Sequence, residues 1–116
     1  MAVRRWRPRL GAEAERDLND ILRWTASRFG VEQARRYRRT ILLAIRELEG
    51  GPDALGSRAR DEIMPGLRTL HVARQGRRGR HFLMYRASTS DAIDILRILH
   101  DGMDTQRHVP PPEEEP

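Results

Sequence analysis

The sequence predicts an α+β domain: a small antiparallel sheet with an N-terminal edge strand and an αα-hairpin packed on one face, in the order β-α-α-β-β-β. Three observations predict it. Residues 12–48 carry two successive apolar stripes of helical period, separated by little more than Gly30. From Leu67 to His100 the pattern changes to short strand-like runs divided by turns. Ahead of both, residues 3–10 alternate weakly and contain Pro8, which has no N–H to offer a central ladder.

Each element has its own signals. In "VRRWRPRL" (3–10), Val3, Trp6 and Leu10 are available for burial on an edge strand. In the first helix Ala14, Leu18, Ile21, Leu22, Thr25 and Phe29 fall on one face. Glu13, Glu15 and Asp17 lie near its positive N-terminal end, and Gly30 stops it. In the second helix Ala34, Tyr37, Ile41, Ala44, Ile45 and Leu48 form the stripe, while Arg35, Arg36, Arg38, Arg39 and Arg46 lie mostly outside it. "GGP" (50–52) ends that helix, and so short a link between the two makes them antiparallel.

The stretch from Gly50 to Gly66 is long for a connection without structure, and such loops are functional or mobile. "LRTLHVAR" (67–74) and "RHFLMYRA" (80–87) flank the hairpin loop "QGRRG", and "STSD" (88–91) makes a tight turn. "AIDILRILH" (92–100) then places Ile93, Ile95 and Leu99 on one face and Leu96 and Ile98 on the other. A strand apolar on both faces is central or covered on both sides. Residues 1–109 read as one domain and "PPEEEP" with its preceding proline (110–116) as a disordered tail.

Composition narrows the function. The 116 residues include no cysteine, so there is no disulfide, thiol nucleophile or cysteine metal site. No apolar run reaches membrane-spanning length, and the N-terminus lacks a signal-peptide core, so a cytoplasmic protein is expected. All 22 basic residues are arginine. Setting aside the tail's three glutamates leaves them against 14 acids, a body basic enough to imply a polyanionic partner. Arginine clamps carboxylates and phosphates but is a poor proton shuttle.

Three constellations carry possible chemistry. His71, His81, His100 and His108 are the titratable candidates; His71 and His81 read as solvated residues, whereas His100 terminates an apolar strand ahead of Asp101 and Asp104. No spacing resembles a zinc site, and neither a metal nor a cofactor is expected. Arg68, Arg86 and Arg97 fall on consecutive strands and so form a candidate cluster. Arg97 either pairs with an acid such as Asp94 or Asp101 or reaches a cavity that binds an anion. In "QARRYRRT" (33–40), Tyr37 among arginines has the makings of a nucleic-acid surface, but Tyr37 also fits the apolar stripe, which makes this a solvated face with one aromatic turned inward.

Taken in order, "AERDLNDILRWTASRFG" (14–30), "QARRYRRTI" (33–41), "PGLRTL" (65–70), "HFLMYR" (81–86) and "IDILRILHDGMDTQRHV" (93–109) resemble the ParE branch of the RelE/ParE toxins of bacterial type II toxin–antitoxin modules. The resemblance spans roughly residues 5–109. It implies a RelE/ParE-like fold and a growth-arresting toxin held inactive, in a hetero-oligomer, by a cognate antitoxin. That antitoxin would be ParD-like or another with an acidic or amphipathic C-terminal segment. It further implies DNA gyrase as target, with Arg68, Arg86, Arg97, His100, Met103, Asp104, Arg107 and His108 binding target or antitoxin. The alternative is a RelE-like nuclease that cuts mRNA on the ribosome, with His100, Arg97, Arg86 and His108 as its catalytic set. The absence of lysine, and of a tyrosine in the C-terminal segment, departs from those nucleases. A plain nucleic-acid-binding module is a third reading, motivated by charge alone.

Overall fold

The computed structural model describes residues 5–102. β1 (Arg7–Leu10) passes through Gly11 into α1 (Ala12–Phe29), and α2 (Val31–Glu47) follows after a single residue, ending in a 3-10 turn at Leu48–Gly50. Four more strands complete the described residues: β2 (Arg58–Ala59), β3 (Leu67–His71), β4 (His81–Ala87) and β5 (Ala92–His100). Their order in the sheet is β1-β5-β4-β3-β2.

Gly30 makes the helical hairpin this tight. Its N–H donates to Ala26 O at 2.9 Å and its carbonyl accepts from Ala34 N–H at 3.2 Å, so one residue closes α1 and opens α2. It does so at φ +95°, a conformation that favours glycine over any residue with a Cβ.

Two features of the sheet differ from the sequence expectation. β1 pairs with β5 in parallel, Arg7 opposite Ala92 through Leu10 opposite Ile95, so the sheet is mixed rather than antiparallel. A helical hairpin between the first strand and the rest carries the chain back to the starting end, which permits that parallel pairing. The 50–66 connection also contributes β2, which pairs antiparallel with β3. This loop is ordered by side chains from the sheet: Arg68 donates to Pro52 O and Ser57 Oγ, and the buried Tyr85 donates its hydroxyl to Pro52 O at 2.7 Å.

The main core lies between the hairpin and the sheet. Ala14 and Leu18 of α1 and Ile41, Ala44 and Leu48 from α2 and its 3-10 turn meet Leu70, Leu83, Tyr85, Ile93, Ile95 and Ile98. Phe29, assigned to this face by periodicity, is instead 65% exposed and stacks edge-on against the exposed Trp24. It sits at the last position of α1, past the edge of the sheet's cover. On the second face of the sheet a smaller cluster of Leu67, Met84 and Leu99 is covered by Ile63, Met64, Phe82 and Leu96.

β5 serves both cores because its alternation breaks. Tyr85 pairs with Ile95 and Met84 with Arg97, leaving Leu96 as the extra residue of a β-bulge. The bulge reverses the phase of everything beyond it. Ile98, not Leu99, therefore joins Ile93 and Ile95 under the helices, and Leu99 joins Leu96 on the second face.

Candidate functional site

The three strand arginines do not converge. Arg68 stands opposite Tyr85 on the helix side and holds the 50–57 loop. Arg86 stands opposite Leu67 on the second face, its Nη1 3.3 Å from Met64 Sδ. Arg97 stands opposite Met84, and its guanidinium reaches round to α1. There it grips Asp17 with two hydrogen bonds, Nε to Oδ2 at 2.7 Å and Nη2 to Oδ1 at 2.9 Å. Arg97 therefore pairs with an acid, but with neither expected one: Asp94 is bonded by Arg9 and Asp101 by His71. The bonds to Asp17 hold the Arg97 guanidinium above its ordinary pKa against the opposing effect of burial.

Asp17 has a second duty that follows from where β1 stops. β1 covers β5 only from Ala92 to Ile95, and Gly11 N–H closes that ladder on Ile95 O. Beyond it, the flank of β5 has no strand neighbour among the described residues. Asp17 Oδ2 accepts the Ile98 N–H at 2.9 Å, so one carboxylate satisfies an edge amide and clamps the adjacent arginine. Both side chains of the pair are less than one-fifth exposed. α1 thus shields an open sheet edge at the start of the C-terminal segment.

At the far end of the same strands the structure gathers residues that the sequence scattered. His81 and His100 are register partners, with ring centroids 5.4 Å apart and edge-on. Tyr37 reaches down from α2 to within 2.6 Å of His81 Nδ1. Its oxygen also accepts the Arg80 N–H at 3.0 Å. Gly79 permits this approach, since a Cβ there would lie 3.0 Å from the tyrosine and 2.7 Å from Val72 Cγ2. His71 completes the group by contacting Asp101 Oδ2 at 3.1 Å. His71 and His81 are therefore not the independent solvated residues expected. Tyr37's inward position was legible from its stripe; no local signal pairs it with a residue 44 positions away.

The hydrogen bonds assign one tautomer to all three rings. Ala73 N–H donates to His71 Nδ1 and Gly102 N–H to His100 Nδ1, so both of those nitrogens are acceptors. Among the described residues the Tyr37 hydroxyl hydrogen has no acceptor other than His81 Nδ1, so the phenol donates there. Each imidazole thus engages its Nδ1 with a fixed donor. Burial, helped by the neighbouring His100, pushes His81 down to about 4. Asp101 is held below the usual carboxylate range by its bond to His71, and burial pushes Tyr37 up. This arrangement suits a rigid binding surface, since each Nδ1 is already held by a donor of the protein itself.

Of the residues expected to bind, Arg68, Arg86, Arg97 and His100 are placed as above; Met103, Asp104, Arg107 and His108 lie outside the described residues, as do Val3 and the 110–116 tail. No group of His, Asp or Glu among the described residues is arranged to hold a metal ion.

Comparisons with known proteins agree with one another. A family model described as "ParE toxin of type II toxin-antitoxin system, parDE" matches residues 9–105. Toxin ParE1 of Mycobacterium tuberculosis is 37% identical over 100 residues, covering 86% of this chain and 94% of its own. Toxin ParE1 of Caulobacter vibrioides is 33% identical over 101 residues, covering 87% and 95%. The solved structure described as the chromosomal ParDE TA system from P. aeruginosa superposes with a TM-score of 0.68 at 23% identity, covering 84% of this chain and 97% of that one, which establishes the likeness of fold.

Proposed function

Because this chain belongs to the ParE toxin family of type II toxin–antitoxin systems, we propose that it stops growth as that family does, by binding and inhibiting DNA gyrase. The observation that carries the reading is the family match across residues 9–105, which includes every described element except part of β1. The site geometry supports binding rather than catalysis. Arg97 is committed to Asp17, Arg68 to a loop carbonyl, and the three described histidines each have Nδ1 engaged. The RelE-like alternative needs a base and a cationic group facing one phosphodiester, whereas Arg97 is turned to Asp17 and Arg86 lies at the opposite end of the β4–β5 pair from His100.

The partner that restrains the toxin is a cognate antitoxin, and the P. aeruginosa relative is described as a ParDE system. An acidic or amphipathic antitoxin segment suits a body in which arginines outnumber acids, and a hetero-oligomer follows from that. A cytoplasmic location is proposed with these two partners, and no helix among the described residues is long and apolar enough to cross a membrane.

The test is to induce this gene alone in a bacterial host and pulse-label DNA, RNA and protein synthesis. Gyrase inhibition predicts that DNA synthesis fails first, with a DNA-damage response, and that purified toxin blocks supercoiling in vitro. Protein synthesis failing first, with supercoiling untouched at large toxin excess, would replace gyrase by the ribosome as target.

A further inference from the structure

We propose that the outer face of α2 is a docking surface for the phosphate backbone of duplex DNA, independent of which target the toxin poisons. Arg35, Arg38, Arg39 and Arg46 line a shallow groove of about 400 Å³ together with Leu42 and Leu43. These positions lie away from Ala34, Ile41 and Ala44, which pack α2 into the core. The four arginines are exposed, while both leucines are already half-buried.

What distinguishes this face is a row of arginines on one helix whose charge is largely left uncompensated. Of the fifteen described arginines outside α2, nine lie within salt-bridge distance of an acid; of the five on α2, one does. On α1, Arg16 pairs with Glu13 and Arg23 with Asp20, one turn apart. On α2 only Arg35 has such a partner, Glu32 at 2.9 Å. Arg38, Arg39 and Arg46 have no carboxylate within salt-bridge distance among the described residues. Glu47, the one acid near the groove's C-terminal end, is held instead by Arg74 at 3.0 Å and Arg77 at 3.3 Å from the β3–β4 loop.

The geometry fits a duplex. Arg35 to Arg46 spans eleven residues of straight helix, about 16 Å. Each strand of a duplex offers a phosphate every ~3.4 Å along its axis, so the row meets several phosphates at once. Guanidinium forks bind such oxygens bidentately, and their stems cover the apolar floor between them. An acidic amphipathic peptide would need open apolar anchorage, and two half-buried leucines provide little.

The experiment measures anisotropy of a labelled random-sequence duplex of about two helical turns with full-length toxin, across roughly 50 to 200 mM salt. Two charge-matched variants are compared, R38Q/R39Q on α2 and R16Q/R23Q on α1, with thermal melts to confirm folding. Wild type should bind with a steep salt slope. R38Q/R39Q should weaken binding on the order of tenfold at the low-salt end and flatten the slope of log K against log salt by about 1.8, or 0.9 for each phosphate that is no longer neutralised. R16Q/R23Q should stay near wild type. Equal weakening in the two variants would mean diffuse net charge and overturn the assignment. So would no binding by wild type at low salt, or tighter binding of poly-glutamate of matched charge, which would make the groove a peptide site.

Discussion

α1 and α2 are neighbours of nearly equal length, joined by one glycine, yet they carry opposite balances of charge. α1 carries four acids against three arginines, α2 two acids against five arginines. α1 turns an acid inward: Asp17 holds Arg97 and the Ile98 amide, fixing the helix to the sheet by ionic contact. α2 meets the sheet through apolar side chains and a neutral Tyr37–His81 bond, gives only its last residue, Glu47, to Arg74 and Arg77 of the β3–β4 loop, and sends its arginines outward. A charge fixed against a partner 80 residues away is part of the architecture. Charges left without acids on an exposed helical face contribute little to folding, and their use lies in what they meet in solution.

The comparison predicts a large difference between the two helices. Asp17→Ala removes two hydrogen bonds to the largely buried Arg97 guanidinium and the acceptor of the Ile98 N–H, and we expect a loss of about 3 kcal/mol in urea unfolding at neutral pH. A loss below about 1 kcal/mol would show that α1 is held by its apolar face alone. The α2 contact should reveal itself through acid. His81 takes up its proton near pH 4 when folded and near 6.5 when unfolded. Between those values the unfolded chain binds the proton and the folded one does not, so stability falls as pH drops from 6.5 to 4 and levels off below. Allowing for solvent around a partly exposed ring, the loss is roughly 1–2 kcal/mol. His81→Gln should remove that pH dependence; if it persists, another group is responsible. Asp101 acts in a separate, lower window, since its stabilising bond to His71 is lost only as pH falls through its depressed value. The smallest effects belong to the outer faces. R16Q/R23Q and R38Q/R39Q should each change stability by less than about 0.5 kcal/mol, the first because exposed pairs contribute little and the second because there is no pair to break.

Much of this frame was legible in the sequence, for reasons that also explain what was not. The hairpin follows from two helical stripes around Gly30, and β3, β4 and β5 from short apolar runs between turns. Local pattern carries no information about an inserted residue, so the bulge at Leu96 put Ile98 and Leu99 on the wrong faces. Nor does it reveal distant partners. Asp94 and Asp101 were the nearby acids for Arg97, but Arg9 and His71 take them, and Asp17 comes from another layer of the fold. The histidine group was hidden for the same reason: His71, His81 and His100 are dispersed along the chain and meet only when three strands align.

The parallel pairing of β1 with β5 has a consequence for synthesis. β5 lies between β1 and β4, so the first strand cannot be seated, nor the Asp17 clamp closed, until residues 92–98 have left the ribosome. At roughly 5–20 residues per second, the preceding elements wait for seconds with their central neighbour missing. A nascent chain of this topology therefore lacks its complete sheet for nearly its whole time on the ribosome. The sheet closes in one late step, so a partner that recognises the closed sheet can engage the chain only at the moment it folds.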